Sequence, residues 1–226
     1  MRSIKYPLLF MPIPKSGCTS IRNYMFYLDY GYFCGTPDSV MGYITQSGLQ
    51  DGRDQMADRQ GDFVFTFVRH PLRRAYSGFN DKAFHQHTHS FPWLRQKLIR
   101  RGATLKNKDP SVEEHRANFV IFLEKVYKDI KNTKNKKVNP HWDSQTRILR
   151  RKKKRREIEF IGRLEHMERD FTSVLERAGY QSPFEFRRFN EGPGYPHAYD
   201  VVVDASVQDL GRTIFSEDLE ELGYEI

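Results

Sequence analysis

The sequence predicts an α/β fold, a mostly parallel central sheet flanked by helices. Three observations carry that expectation. Tyr6 to Ile13 (YPLLFMPI) is an apolar run bounded by prolines, and Phe63 to Val68 (FVFTFV) is dense in β-branched and aromatic residues, so both read as buried strands. Each run is followed by apolar residues at helical spacing, and strands that alternate with helices build parallel sheets covered by helices.

After the first strand comes a turn of small residues, and from Thr19 onward Ile21, Tyr24, Met25 and Leu28 recur at helical spacing. Residues 31–61 are polar and glycine-rich, read as irregular structure with one short helix. Arg69-His70-Pro71 ends the second strand and opens a helix marked by Leu72, Ala75, Tyr76, Phe79 and Ala83. Phe119, Phe122, Leu123, Val126 and Tyr127 line a third helix, and a polar stretch through Lys137 leads to a loop at Asn139-Pro140-His141-Trp142. Ile158 to Ile161 reads as a short strand. Met167, Phe171, Val174, Leu175 and Ala178 mark a helix that Gly179 can end, and Val207, Leu210, Ile214, Phe215 and Leu219 mark the last one.

The 226 residues, 38% hydrophobic and 14% aromatic, suffice for one packed core, and no linker or repeat divides them, so residues 1–226 are read as a single domain. The longest early apolar stretch, Pro7 to Pro14, is too short to span a bilayer and Lys15 interrupts it, so neither a transmembrane segment nor a leader is expected. Two cysteines, Cys18 and Cys34, make no disulfide framework and lack zinc-ligand spacing; a reducing, cytoplasmic setting fits them. The 37 Lys and Arg against 29 Asp and Glu give +8, which favours anionic partners. Much of the excess lies in Arg150 to Arg156, read first as a solvated loop or hairpin end and second as a contact for a polyanion.

In open parallel sheets ligands bind beyond the carboxyl ends of the strands, so the loops after the two strong strands are where chemistry is expected. Pro14-Lys15-Ser16-Gly17-Cys18-Thr19-Ser20 suits a phosphate loop. Gly17 lets the backbone approach an anion, the helix N-terminus supplies N–H groups and a favourable dipole, Thr19 and Ser20 add hydroxyls, and Lys15 adds a charge. The same residues also suit a plain helix cap at Thr19 or Ser20 with Lys15 on the surface. The order, lysine before glycine, differs from the common nucleotide loop G-x-x-x-x-G-K-[ST] and disfavours an ATP or GTP site. Arg69 at the end of the second strand, with Ser77 eight positions later in the helix, offers a fork and a neutral donor to a second phosphate, or Arg69 serves a local ion pair.

Together these loops resemble the two nucleotide-binding segments of sulfotransferases that use 3′-phosphoadenosine 5′-phosphosulfate (PAPS). The first is similar to Pro-Lys-x-Gly-x-Thr-Ser/Thr, the second to an arginine and nearby proline, here Arg69-His70-Pro71, with a serine eight residues after the arginine. Asn139-Pro140-His141-Trp142-Asp143-Ser144-Gln145 resembles the Asn-Pro-His-Trp-x-x-Gln stretch of the carbohydrate sulfotransferases of chondroitin and dermatan, the Golgi sulfotransferase family 2. Phe160-Ile161-Gly162-Arg163-Leu164-Glu165 is similar to their Phe-Ile-Gly-Lys/Arg-x-Glu segment, and Asn190, Tyr199-Asp200 and Phe215 to Tyr224 match their closing pattern. Golgi members carry a membrane anchor and a cysteine pair where this chain has Arg147 to Arg156, which implies a soluble, bacterial-like relative.

The resemblance implies a PAPS-dependent carbohydrate O-sulfotransferase with no metal. Lys15 would stabilise the leaving group, Ser16, Gly17, Cys18, Thr19 and Ser20 would cradle the 5′-phosphosulfate, Arg69 and Ser77 would hold the 3′-phosphate, and Arg163 would join the donor site. His141 is the expected base, since an imidazole titrates near working pH; His70, His85 and Glu165 are its rivals. The alternation His85-Gln86-His87-Thr88-His89 lacks a patterned carboxylate, so exposed loop histidines are expected there rather than a metal site. Trp142 is read as a packing residue ahead of a sugar platform. The partner is a carbohydrate acceptor, for which an anionic glycan suits the charge, and no nucleic acid is expected. Two other classes stay open: a nucleotide-dependent phosphoryl transferase, and a basic nucleic-acid-binding protein using Arg150 to Arg156.

Overall fold

The structure, a computed structural model, describes residues 1–36, 61–132, 138–154, 156–187, 189 and 194–225. Most of the region expected to hold a short helix between 31 and 61, the end of the stretch through Lys137, Arg155 of the basic run and Asn190 lie outside the described residues. In chain order the elements are β1 (Leu8–Phe10), α1 (Cys18–Tyr30), β2 (Phe63–Val68), α2 (Pro71–Phe79), a π-helical turn (Asn80–Phe84), α3 (Pro92–Ile99), α4 (Val112–Lys131), α5 (Gln145–Lys153), β3 (Phe160–Arg163), a 3-10 turn (Leu164–His166), α6 (Met167–Arg177), α7 (Tyr199–Val202) and α8 (Ala205–Leu222). They fall into two compact units, Met1–Arg69 with Arg150–Glu191, and His70–Leu149 with Gly192–Ile226.

The first unit holds a three-stranded sheet in the order β1-β2-β3, parallel throughout. The mixed strand and helix pattern of the sequence is therefore realised as the expected α/β arrangement. β1 is shorter than the apolar run that announces it, pairing only Leu8 to Phe10 with Phe63 to Phe65. Prolines 7, 12 and 14 carry no N–H and stop the ladder on either side, although the Met11 N–H still donates to the Phe65 carbonyl at 2.8 Å. Leu8, Phe10, Phe65 and Phe67 pack with Ile21, Tyr24 and Met25 of α1 and with Phe171, Val174 and Leu175 of α6. Gly31 closes α1 in the left-handed region at φ 79°, where its N–H bonds to the Tyr27 carbonyl.

The second unit is helical around one aromatic core, in which Leu72, Tyr76, Phe79, Phe119, Phe122 and Trp142 are all buried. Pro71 starts α2 at a position where a missing N–H costs nothing. Ser111 caps α4 by accepting from Glu114 N–H, and Asp204 caps α8 by accepting from Val207 N–H. The helix foreseen from Leu72 to Ala83 is in fact two pieces, because the backbone widens into a π turn at Asn80. Helix α3, in a stretch with no anchor in the sequence pattern, buries only Leu94 and Leu98.

The basic run corrects the sequence reading, since Arg150 to Lys153 form the last turn of α5 rather than a loop or hairpin end. Ile148 and Leu149 are buried and hold the helix in place, and cations at a helix C-terminus meet the negative end of its dipole.

Candidate active site

In the first unit all the expected donor residues but Ser77 lie at one edge of the sheet. Parallel strands end on the same side, and here the loop Pro14 to Gly17 follows β1, Arg69 follows β2, and Arg163 is the last residue of β3. The register pairs Val68 with Arg163, which puts Arg69 one residue beyond that pair. Lys15, Arg69 and Arg163 thus add three positive charges to the carboxyl edge of the sheet, each side chain partly exposed.

The loop has the backbone of an anion cradle. Among the described residues Lys15, at φ 69°, is the non-glycine residue in the left-handed region, and Gly17 is there too at φ 76°. A non-glycine residue held in that region costs about 1 kcal/mol or more, which the surroundings must offset, and such strain gathers at functional sites. Between them Ser16 is fully buried, its N–H donating to the Ile13 carbonyl at 3.2 Å. Position 17 favours glycine because its φ of 76° strains any L side chain, and a Cβ there would also stand 2.7 Å from Leu164 Cδ1 and from Met167 Cε, side-chain ends that would have to move. Helix α1 then starts at Cys18 with no side-chain cap and no acidic residue in its first turn, leaving its positive end to an anion. The simple cap at Thr19 or Ser20 is therefore not what forms. Cys18 Sγ donates to the Ile13 carbonyl at 2.9 Å, which tightens the loop. Ser20 Oγ faces the backbone of Phe189, donating to its carbonyl at 3.3 Å.

In the second unit, Ser77 and His141 are held on facing elements. Ser77 sits on α2, buried, its hydroxyl accepting from Tyr195 OH at 3.0 Å. One residue on, Gly78 packs against the loop of His141, where a Cβ would come within 3.1 Å of the His141 carbonyl oxygen. The buried guanidinium of Arg74, also on α2, donates to the carbonyls of Asp143 at 2.9 Å and Pro140 at 2.5 Å. Arg74 clamps the His141 loop onto α2, and the sequence reading gave it no role. Nothing in the pattern separates it from Arg73, whose guanidinium instead lies exposed on Asp200 at 2.8 Å and over the Tyr199 ring at 4.1 Å.

Asn139 fixes the tautomer of His141. Its Oδ1 accepts from the His141 backbone N–H at 3.0 Å, so that atom is the oxygen, and it lies 2.8 Å from His141 Nδ1. An amide oxygen only accepts, hence Nδ1 carries the proton and Nε2 carries the lone pair. Directly after the loop, buried Asp218 of α8 accepts from Ser144 Oγ at 2.6 Å, Gln145 N–H at 2.8 Å and Thr146 N–H at 3.0 Å, capping α5 from a distance. Trp142 is 1% exposed, donates from Nε1 to Asp129 Oδ2 at 3.0 Å and lies under Lys125, whose Nζ is 4.6 Å from its ring; it packs, as expected. Burial pushes the Lys125 ammonium below its usual range, and the adjacent Asp129 carboxylate opposes that shift.

The rivals for the base are placed otherwise. His70 caps α2, its Nδ1 accepting from Arg73 N–H at 3.4 Å and its Nε2 lying 2.8 Å from the Glu225 carbonyl. Burial pushes His85 below its usual range. Glu165 is exposed in the 3-10 turn after β3. His87 pairs with Asp81 at 3.0 Å, and among the described residues no group of three or more His, Cys, Asp or Glu side chains is arranged to hold a metal.

A model of the sulfotransferase family matches residues 1–224, through every element above. The chain belongs to the sulfotransferase family. Human carbohydrate sulfotransferase 9 is 22% identical over 227 residues, covering 92% of this chain and 47% of the relative, so this sulfotransferase-family chain spans about half the length of that curated relative. No solved structure matches it significantly. The three-strand parallel sheet with its helices is consistent with the sulfotransferase fold, and no described helix is long and apolar enough to cross a membrane.

Proposed function

We propose that the chain, as one functional domain over residues 1–226, is a PAPS-dependent O-sulfotransferase that acts on a carbohydrate hydroxyl. The observation that carries this reading is the carboxyl edge of the sheet, where a strained Lys15–Gly17 cradle, the uncapped start of α1, Arg69 and Arg163 stand together. That set fits the donor. PAPS presents a phosphosulfate at one end and a 3′-phosphate at the other, and the edge offers N–H groups and cations to both. The name of the human relative, a carbohydrate sulfotransferase, supports a sugar acceptor.

In the reaction the acceptor hydroxyl oxygen forms a bond to sulfur while the bond from sulfur to the bridging phosphate oxygen breaks, giving 3′-phosphoadenosine 5′-phosphate and a sulfate ester. Lys15 neutralises the charge gathering on that leaving oxygen, and the amides of Gly17, Cys18, Thr19 and Ser20 hold the phosphate in line. Arg69 and Ser77 bind the 3′-phosphate, with Arg163 adding charge at the same edge. His141 takes the hydroxyl proton on Nε2, the atom that Asn139 leaves with the lone pair. Cys18 and Cys34 stand as thiols, which suits a reducing cytoplasm.

Incubation with PAPS and a panel of oligosaccharides, followed by mass spectrometry, tests the reading. One added sulfo group per acceptor, lost in His141→Gln, supports it; consumption of ATP with phosphorylated product would place the chain among kinases instead.

A further inference from the structure

Beside His141 the second unit contains an open cavity of about 310 Å³ that the reaction chemistry above does not use. Lys82 and Ala83 of the π turn line it, and π turns recur at functional sites. Lys82, His85, His87, Thr88, Phe91 and Arg95 form its wall, and among the described residues no acidic side chain does.

Phe91 joins this cavity to two other groups. Its ring meets that of His141 edge-on at 5.3 Å, and it stacks on Trp93 at 5.8 Å with only 18° between planes. Trp93 is 50% exposed, against 1% for Trp142. An exposed indole stacked on a second ring, next to a polar cavity, is a flat apolar face at the mouth of a hydrogen-bonding pocket. Sugars present such surfaces themselves, with C–H faces and hydroxyl rims.

The charge of the wall selects among sugars. Lys82 is matched by Asp81 at 2.9 Å, which also receives His87 at 3.0 Å. Arg95 instead donates to the carbonyls of Ala83 at 3.0 Å and Phe84 at 2.7 Å and to that of Leu105, so its positive charge is fixed in place by neutral groups. Among the described residues the wall thus has the Arg95 guanidinium on neutral partners and no lining carboxylate, a balance that favours an anion.

We infer that the Trp93–Phe91 stack and the cavity beside it are the acceptor subsite, in which Trp93 carries a sugar ring and the cavity takes the acidic substituent of a neighbouring residue in the same chain. This rests on the carbohydrate acceptor proposed above. The acid is a carboxylate or a sulfate, and the two are told apart by experiment.

With two tryptophans in the chain, one of them buried, acrylamide quenching of fluorescence reports on Trp93. The probes are an unsulfated chondroitin hexasaccharide, its sulfated counterpart and neutral chitohexaose. The acidic hexasaccharides are expected to shield Trp93 and the neutral one not, with the tighter of the two acids naming the group. By calorimetry Trp93→Ala should weaken the acidic probe about tenfold or more, the loss of one good stacking contact. Thr88→Glu, which sets a carboxylate in the exposed part of the wall, should weaken the acidic probes alone. Both variants should bind 3′-phosphoadenosine 5′-phosphate as wild type does. Acidic hexasaccharide affinity unchanged in both variants would overturn the subsite while intact donor binding leaves the sulfotransferase reading standing; equal shielding by chitohexaose would overturn its acidic character. Failure of the wild type to bind the donor product would instead strike the reading on which the subsite rests.

Discussion

Gly78 of α2 lies directly against the backbone of His141, so close that a Cβ would stand 3.1 Å from the His141 carbonyl oxygen. A contact that tight requires the neighbour to yield by a few tenths of an ångström, and the neighbour is a backbone carbonyl with little freedom. Alanine is otherwise favoured over glycine inside a helix by about 1 kcal/mol. Gly78→Ala is therefore expected to leave the melting temperature within a few degrees of wild type while lowering kcat by about threefold to tenfold, because small displacements of a proton acceptor are costly. Transfer of label from PAPS to the chondroitin hexasaccharide, measured beside a thermal melt, checks both halves.

The clamp that holds the same loop makes a second expectation. Arg74→Ala would take their donor from the buried Asp143 carbonyl and the part-buried Pro140 carbonyl, at a cost of about 2 kcal/mol. Arg74→Lys can restore one of the two bonds and should recover part of that loss. Urea denaturation of the three proteins tests the order wild type, Lys, Ala; equal stabilities would show that the clamp contributes nothing.

Asn139 sets which nitrogen of His141 carries the proton, and its replacement should separate two effects. Asn139→Leu removes the acceptor for Nδ1–H and should lower kcat with little change in donor affinity. Asn139→Asp places a carboxylate 2.8 Å from the ring, favours the imidazolium, and should move the acid limb of the rate profile upward by roughly one pH unit. An unshifted profile would indicate that the base is another group.

His115 gives the chain an acid sensitivity of its own. Its ring is fully buried among Tyr76, Phe79, Phe84 and His197, neither nitrogen has a hydrogen-bond partner, and burial, helped by His197 and His85, lowers its pKa from 6.5 to about 4. The folded state thus keeps the ring neutral where the unfolded chain takes a proton. Its contribution is present in full above pH 6.5 and is lost as pH falls from there to about 4, on the order of 3 kcal/mol in total. His115→Phe should flatten that fall and, by removing two unsatisfied buried nitrogens, raise stability at pH 7. Denaturation midpoints at pH 7, 6 and 5 for both proteins decide it.

What the sequence discloses here is the local part of the structure. β2 occupies Phe63 to Val68 as its composition indicates, and α1 begins at the loop and stops at Gly31, because apolar period, breaker residues and a small-residue turn are all written within a few positions. The shared edge of Lys15, Arg69 and Arg163 follows once the strands are parallel, since every βα loop then emerges on one side. The rest depends on contacts distant in sequence. Arg74 and Arg73 are neighbours of one type, and only the carbonyls of Pro140 and Asp143 distinguish them. Asp218 caps a helix that starts more than seventy positions earlier, as its 73-residue separation from Gln145 records. The wall around Phe91 lies in a stretch whose single helix buries two leucines, too little for a periodic signal, and the π turn that adds Lys82 and Ala83 to it leaves no mark in composition. In the basic run charge obscured a helix whose apolar anchor is just Ile148 and Leu149.

The central claim is that the carboxyl edge of the sheet is a donor site that recognises a 3′-phosphate. Calorimetric titration of 3′-phosphoadenosine 5′-phosphate, AMP and ATP into wild type and Arg69→Ala tests it most directly. The expected result is tight binding of the first ligand alone, weakened about a hundredfold in Arg69→Ala by loss of a charge-assisted contact of roughly 1.5–3 kcal/mol. Preference for ATP, or equal binding of AMP, would contradict it.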